Sequence, residues 1–186
     1  MPRDIGKAHM KSFIHVLMVA AIASFFAIPG AQAEERTMNK LQIKSPVFPH
    51  NGMIPSKFTC DGADVSPPLS MVNIPEKTRT LALIVDDPDA PAGAWVHWVV
   101  WNIGAGTKEI PEDSVPQGAI QGTNDFGKQR YGGPCPPSGT HRYYFKLYAL
   151  DASLALKSGA TKAQIEEAMK GHVLAQAELI GLYRRK

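Results

Sequence analysis

The segment Trp95 to Ile103, WVHWVVWNI, decides how this chain folds. Apolar side chains occupy both its odd and its even positions, so a strand built from it would be buried on both faces. Two further segments resemble it, Thr80 to Val85 (TLALIV) before it and His141 to Leu150 (HRYYFKLYAL) after it. Their β-branched and aromatic residues favour strands. The sequence therefore predicts a mainly β fold with Trp95 to Ile103 as a central strand.

The rest of the chain adds short elements around these strands. The 16 glycines and 15 prolines fall between short apolar runs, which is typical of sandwiches or barrels. Leu41 to Ile43 is a short strand candidate. Thr161 to Gln164 matches a helix capping box, and Ile165 to His172 follows with apolar residues at helical spacing. Ala175 to Tyr183 alternates like a last strand, and a continued helix is the alternative.

Composition limits the function classes. The 186 residues with 44% hydrophobic content suffice for one packed domain. Lys and Arg number 20 against 17 Asp and Glu, and a net charge of +3 is too small to predict a nucleic-acid surface. No repeat or low-complexity linker divides the chain after residue 33. We expect residues 34–186 to form a single domain that has no nucleic-acid partner.

Residues 1–33 have the features of a signal peptide. Phe13 to Ile28 is uncharged and mostly apolar, and Ala31 to Ala33 is a small-x-small cleavage pattern. Three basic residues precede the apolar run, Arg3, Lys7 and Lys11. Met10 is an alternative initiator. A membrane anchor is the other interpretation, but the run is shorter than the roughly 20 residues that a spanning helix needs. The sequence thus predicts a periplasmic or secreted protein, cut near Ala33, with no integral membrane span.

Cys60 and Cys135 are the only cysteines. An oxidising compartment would allow them to form a disulfide bond. Closing a loop of this length would stabilise the fold by roughly 4 kcal/mol in the chain-entropy model. Two separate thiols are the alternative.

Four polar side chains fall on apolar faces of the predicted strands, namely Asp87, His97, His141 and Tyr143. Residues two apart in a strand share a face. By this rule the apolar companions are Leu81, Leu83 and Val85 for Asp87, Trp95, Val99 and Trp101 for His97, and Phe145 and Leu147 for the other two. Polar groups on such faces are costly unless they are hydrogen-bonded. We therefore expect the four side chains to meet at the rim of one cleft.

The chemistry of this cleft suits a small anion. Protonated histidines and backbone N–H groups of the Gly/Pro-rich segment Tyr131 to Gly139 would attract a phosphate, and the carboxylate could hold an amine. Each residue also has a structural alternative. His97 could be a structural histidine, Asp87 could cap the turn that follows it, and Tyr143 could be a core residue.

Three ordered motifs resemble the phosphatidylethanolamine-binding protein family: Asp87 to Pro91 (DPDAP), Trp95 to Trp98 (WVHW) and Gly133 to Tyr143 (GPCPPSGTHRY). More narrowly, they resemble the bacterial branch described as Raf-kinase-inhibitor-like. The resemblance extends over nearly all of the chain after residue 33, including Asn124 to Gly127 and Ala177 to Gly181.

The resemblance implies an antiparallel β-sandwich with a short C-terminal helix and a ligand pocket near a strand end. The pocket residues that it implies are Asp87, Asp89, Trp95, His97, Pro134, Pro136, His141 and Tyr143. The charged insert of eukaryotic members is absent, since only Ala92 to Ala94 separate Pro91 from Trp95. This argues against transferring their kinase inhibition to this chain.

The expected function is therefore exported, non-enzymatic binding of small anionic or phosphorylated ligands, such as phosphate or a phospholipid headgroup. The alternatives are an inhibitor or modulator of a protein partner, protease or kinase-like, and a hydrolase. No Gly-x-Ser-x-Gly elbow, His-Glu-x-x-His pair or P-loop is present in the sequence. We expect no catalytic residue, no cofactor and no metal, and the bacterial branch of the family allows a homodimer.

Overall fold

The structure is a computed structural model, and it describes Met1 and residues 40–185. Apart from Met1, the predicted signal peptide lies outside the described residues, as does its predicted cleavage site. Among the described residues, no helix combines the length and the apolar character needed to cross a membrane.

The described part of the chain is mainly β, as predicted. In chain order its strands are β1 (Gln42–Lys44), β2 (Gly52–Met53), β3 (Leu69–Val72), β4 (Thr80–Asp87), β5 (Trp95–Gly104), β6 (Glu109–Ile110), β7 (Ile120–Gln121), β8 (His141–Leu150) and β9 (Val173–Tyr183). A 3₁₀ turn spans Ser56–Phe58, and helix α1 spans Lys162–Met169.

These strands form two sheets packed as a sandwich. The larger sheet has the order β2–β9–β8–β4–β5–β7 and the smaller one has the order β1–β3–β6. All pairings are antiparallel except the short one between β2 and β9. Side chains from both sheets, such as Ile43 and Met71 from the smaller and Leu83 and Phe145 from the larger, share one buried cluster. The other face of the larger sheet is covered by α1, through Ile165 and Met169.

The strand predictions largely agree with the structure. The central position of β5 is confirmed, because it lies between β4 and β7 and six consecutive residues from Val96 are buried. β4 continues two residues beyond the predicted end, to Asp87. The capping box of α1 is present, with the Thr161 hydroxyl accepting from the Gln164 backbone N–H and the Gln164 side chain accepting from the Thr161 N–H. The last element is a strand, so the alternative of a continued helix is wrong.

The predicted face of His97 is wrong. β5 has a bulge there, since Val85 pairs with Trp98 while the next residue of β4 pairs with Val96, which leaves His97 as an extra residue. Val99 and Trp101 consequently pack on the α1 side of the sheet. The bulge lets His97 turn to the opposite face, towards the cluster between the sheets.

The predicted disulfide bond is present. Cys60 and Cys135 are joined, with 2.12 Å between their Sγ atoms. The bond links the segment after the 3₁₀ turn to the Gly/Pro-rich segment that leads into β8. This segment also carries the two predicted pocket prolines.

Candidate functional site

The polar residues predicted from strand alternation meet at one end of the larger sheet. β4 is antiparallel to both of its neighbours, so its last residue lies beside the first residues of β5 and β8. Asp87 ends β4, Trp95 begins β5 and His141 begins β8. Three motifs that are far apart in the sequence are brought together by this pairing.

Asp87 and His141 form a buried pair at the centre of the site. Asp87 Oδ2 lies 2.7 Å from His141 Nδ1, and the residues are only 3% and 7% exposed. The other carboxylate oxygen of Asp87 accepts the backbone N–H of Asp89 at 2.8 Å. Asp87 therefore caps the turn that follows it, as the structural alternative predicted, and its other carboxylate oxygen contacts His141.

His97 is hydrogen-bonded to the Gly/Pro-rich segment. Its Nδ1 lies 2.7 Å from the Gly132 carbonyl oxygen, and the Gly132 N–H donates to the His97 carbonyl at 3.0 Å. Because a carbonyl can only accept, Nδ1 carries the hydrogen and Nε2 is the ring nitrogen that titrates. Burial lowers the pKa of His97 below its ordinary value, against the opposing effects of the Gly132 carbonyl and the Asp87 charge. His97 is therefore neutral at pH 7.

Tyr143 packs on His97 and lies close to Asp87. Its ring packs edge to face on the His97 ring, with 5.2 Å between centroids. Its hydroxyl oxygen is buried near the Asp87 carboxylate and the Cys135 backbone, but it makes no hydrogen bond of normal geometry among the described residues. Burial, and then the negative charge of Asp87, raises the pKa of Tyr143, so the hydroxyl stays protonated. It can donate a hydrogen bond to a ligand.

Asp89 lies at the edge of the site and binds Arg142. The Arg142 backbone N–H and Nε donate to Asp89 Oδ2, both at 2.9 Å, and Nη2 donates to Oδ1 at 2.6 Å. These hydrogen bonds hold the pKa of Asp89 at about 2. The Asp89 carboxylate is thus engaged by Arg142, which the sequence reasoning missed. The signal for Arg142 was its position on the outward face of β8, beside His141.

An aromatic wall, which we define as Trp95 and Phe126, borders His97. The two rings are 5.5 Å apart, and Phe126 is 5.4 Å from the His97 ring. Phe126 is 40% exposed. Sequence reasoning predicted Trp95 as a pocket residue but missed Phe126, because Phe126 lies in a turn where no strand periodicity applies. Its motif, Asn124 to Gly127, was available only as part of the family resemblance.

Pro134 and Pro136 are buried on either side of Cys135, in the segment that supplies Gly132. The Pro134 carbonyl accepts the backbone N–H of Cys60 at 3.1 Å, next to the disulfide bond. The Gly133 N–H donates to Asp64 Oδ1 at 2.6 Å. The segment is thus fastened to the 57–64 region by a covalent bond and by hydrogen bonds.

Among the eight predicted residues, the structure brings Asp87, His97, His141 and Tyr143 into one cluster, with Trp95 beside it. Asp89 contacts the cluster through its backbone N–H, which donates to Asp87. Pro134 and Pro136 lie in the Gly/Pro-rich segment that also contains Gly132. In residues 40–185, no group of three or more His, Cys, Asp or Glu side chains is arranged to hold a metal ion. The cluster combines a hydroxyl donor, two imidazoles and one carboxylate, which suits recognition of a small charged group by hydrogen bonds.

Comparison with known proteins gives consistent matches. The family model described as phosphatidylethanolamine-binding protein matches residues 44–184. A UPF0098 protein of Methanothermobacter thermautotrophicus is 53% identical over 150 residues, which cover 78% of this chain and 99% of that protein. A Pyrococcus abyssi UPF0098 protein is 50% identical over 151 residues, covering 76% of this chain and 84% of that protein.

Two solved structures are also similar to this chain. The crystal structure of a putative phosphatidylethanolamine-binding protein homolog, CT736 from Chlamydia trachomatis, has a TM-score of 0.77 at 42% identity, covering 80% of this chain and 99% of that one. E. coli YbcL, described as a new member of the mammalian PEBP family, has a TM-score of 0.75 at 33% identity, covering 79% of this chain and 99% of that one.

Proposed function

This chain belongs to the phosphatidylethanolamine-binding protein family, and we propose that it binds small anionic or phosphorylated ligands at the cluster of Asp87, His97, His141 and Tyr143. The observation that carries the proposal is the buried Tyr143 hydroxyl, which makes no hydrogen bond of normal geometry among the described residues although it lies near the Asp87 carboxylate. Buried polar atoms are nearly always hydrogen-bonded. A ligand oxygen would satisfy this hydroxyl.

The histidines support the same ligand chemistry. Both use Nδ1 for a protein acceptor, Gly132 for His97 and Asp87 for His141, so Nε2 is the second ring nitrogen of each. A neutral Nε2 accepts the proton of a protonated phosphate, and a protonated Nε2–H donates to a phosphate oxygen. The contact between Asp87 Oδ2 and His141 Nδ1 fixes the orientation of the His141 ring. Binding without catalysis is part of the proposal.

Export is also part of the proposal. The disulfide bond between Cys60 and Cys135 supports an oxidising compartment, where such bonds persist. The small-x-small pattern at Ala31 to Ala33 supports cleavage there.

The test of ligand binding compares variants of two histidines, each of which pairs with an aspartate, one inside the site and one on the surface. His141 pairs with Asp87 inside the site, and His172 pairs with Asp151 at 2.8 Å on the surface. We expect inorganic phosphate and phosphoethanolamine to shift the NMR signals of the His97 and His141 rings saturably at millimolar concentrations. His141→Gln should weaken this binding about tenfold or more, because a charge-assisted hydrogen bond is lost.

His172→Gln is the control and should leave the affinity unchanged. Ring signals of His97 and His141 that stay constant at millimolar ligand would contradict the proposal. Equal effects of both variants would contradict it as well, since they would place the binding outside the cluster.

A further inference from the structure

Phe126 is an exposed aromatic residue in a turn that several hydrogen bonds fix in position. It is 40% exposed, and its described ring contacts are with two residues of the site, Trp95 and His97. A single exposed apolar residue on a surface needs no explanation by itself. The hydrogen bonds around Phe126 are what set it apart.

Asn124 fixes the turn that carries Phe126. Asn124 is 3% exposed, and its Oδ1 accepts the backbone N–H groups of Phe126 at 3.1 Å and Lys128 at 2.9 Å. Its Nδ2 donates to the carbonyls of His97 at 3.2 Å and Arg130 at 2.8 Å. One buried amide therefore ties the turn directly to the backbone of a site histidine, so the position of Phe126 follows that of His97.

The next residue, Asp125, fastens the same turn to the start of β5. Its Oδ2 accepts the Val96 N–H at 2.7 Å, and its own N–H donates to the Val96 carbonyl at 3.0 Å. Both bonds are to Val96, the residue that follows Trp95, so both rings of the aromatic wall are anchored to one short stretch of β5.

Gly132 leaves the space that the Phe126 ring needs. A Cβ atom at Gly132 would lie 2.7 Å from two carbon atoms of the Phe126 ring, closer than real Cβ contacts. Gly132, whose carbonyl contacts His97, thus also leaves room for the Phe126 ring. The wall and the polar cluster are built on the same backbone.

We propose that Phe126, together with Trp95, determines the specificity of the site, which favours phosphate monoesters carrying an apolar or aromatic group over inorganic phosphate. This inference rests on the proposed function. The phosphate oxygens meet Tyr143 and the histidines, and the substituent packs on the exposed surface of the wall. Apolar and aromatic contact of this size contributes about tenfold in affinity.

The experiment measures two affinities in each variant, those of phenyl phosphate and of inorganic phosphate, by titration at one pH. Only the ratio of the two affinities is compared between variants, so the effect of the different ligand charges on affinity cancels. We expect the unaltered chain to prefer phenyl phosphate about tenfold, and Phe126→Ala to reduce this preference to about threefold or less. Phe126→Leu, which keeps an apolar side chain, should give an intermediate ratio and serves if the alanine variant does not fold.

Leu174→Ala is the matched control. Leu174 is also 40% exposed, and it lies at the opposite end of β9 from the residue that pairs with His141. It should keep the full preference.

Each other outcome decides against the inference. If the preference survives Phe126→Ala, or if both affinities fall equally, Phe126 is a structural residue and does not set specificity. If the unaltered chain binds phenyl phosphate no better than inorganic phosphate, the wall is not a ligand surface. If it binds neither, the proposed function itself is wrong.

Discussion

At the scale of single residues, His97 shows how burial controls the chemistry of the site. Its ring is 3% exposed, and burial is the largest cause of its lowered pKa. A bound anion would oppose that effect, because it stabilises the protonated imidazole. If the proposed anion binding occurs, we therefore expect His97 to be uncharged in the free site near neutral pH and a proton to be taken up on binding.

Anion affinity should consequently fall as the pH rises. Sulfate is a suitable probe, because its own charge is constant over the range. Between pH 5 and 7 we expect the affinity to decrease by up to about tenfold per pH unit for one proton taken up. Calorimetry in two buffers of different ionisation enthalpy measures that proton. His97→Ala should flatten the profile, and an affinity for sulfate that does not change with pH would contradict the assignment.

The residues that sequence reasoning found and missed differ in a physical way. Asp87, His141 and Tyr143 obey strand alternation, so their faces could be read from spacing. His97 lies at a bulge, which depends on how β4 and β5 pair and leaves no trace in the spacing of either strand alone. Phe126 takes its position from a turn that Asn124 ties to His97, and Arg142 contacts the distant Asp89; alternation predicts neither contact.

At the scale of elements, a buried ion cluster attaches α1 to the larger sheet. Asp86 is fully buried in β4, and its Oδ2 accepts from Lys146 Nζ of β8 at 2.8 Å and from Lys162 Nζ at 2.5 Å. Lys162 is the first residue of α1, where the helix dipole disfavours a positive charge. The pairing with Asp86 accounts for its position.

Two lysines on one carboxylate predict strong non-additivity. Lys146→Met or Lys162→Met alone should cost about 1 kcal/mol of unfolding free energy, since the other ammonium still neutralises Asp86. The double variant should cost about 3–5 kcal/mol, because it leaves a buried carboxylate unpaired. Urea unfolding of the four proteins measures this.

Lys170→Met is the control for the ion cluster. Lys170 pairs with Glu167 on the surface, where both side chains are 71% exposed, and its removal should change the stability little. Additive effects of the two lysine replacements would contradict the prediction, because they would show that neither lysine compensates for the loss of the other.

At the scale of the whole molecule, the prediction concerns processing and oxidation together. When the full chain is expressed in a bacterium with a periplasm, we expect a product that begins at Glu34 and carries the Cys60–Cys135 bond. Intact mass under non-reducing and reducing conditions measures both features. Cys60→Ser should be cut at the same place but lack the bond. A full-length chain in the membrane fraction would contradict the predicted cleavage.

The disulfide bond also has a consequence for where the protein can work. It lies between Pro134 and Pro136, in the segment whose glycines hold His97 and leave room for Phe126. A copy retained in a glutathione-rich cytosol would lose this covalent tether and keep only the hydrogen bonds to the 57–64 region. Ligand binding at the proposed site would then depend on the thiol chemistry of the protein's surroundings.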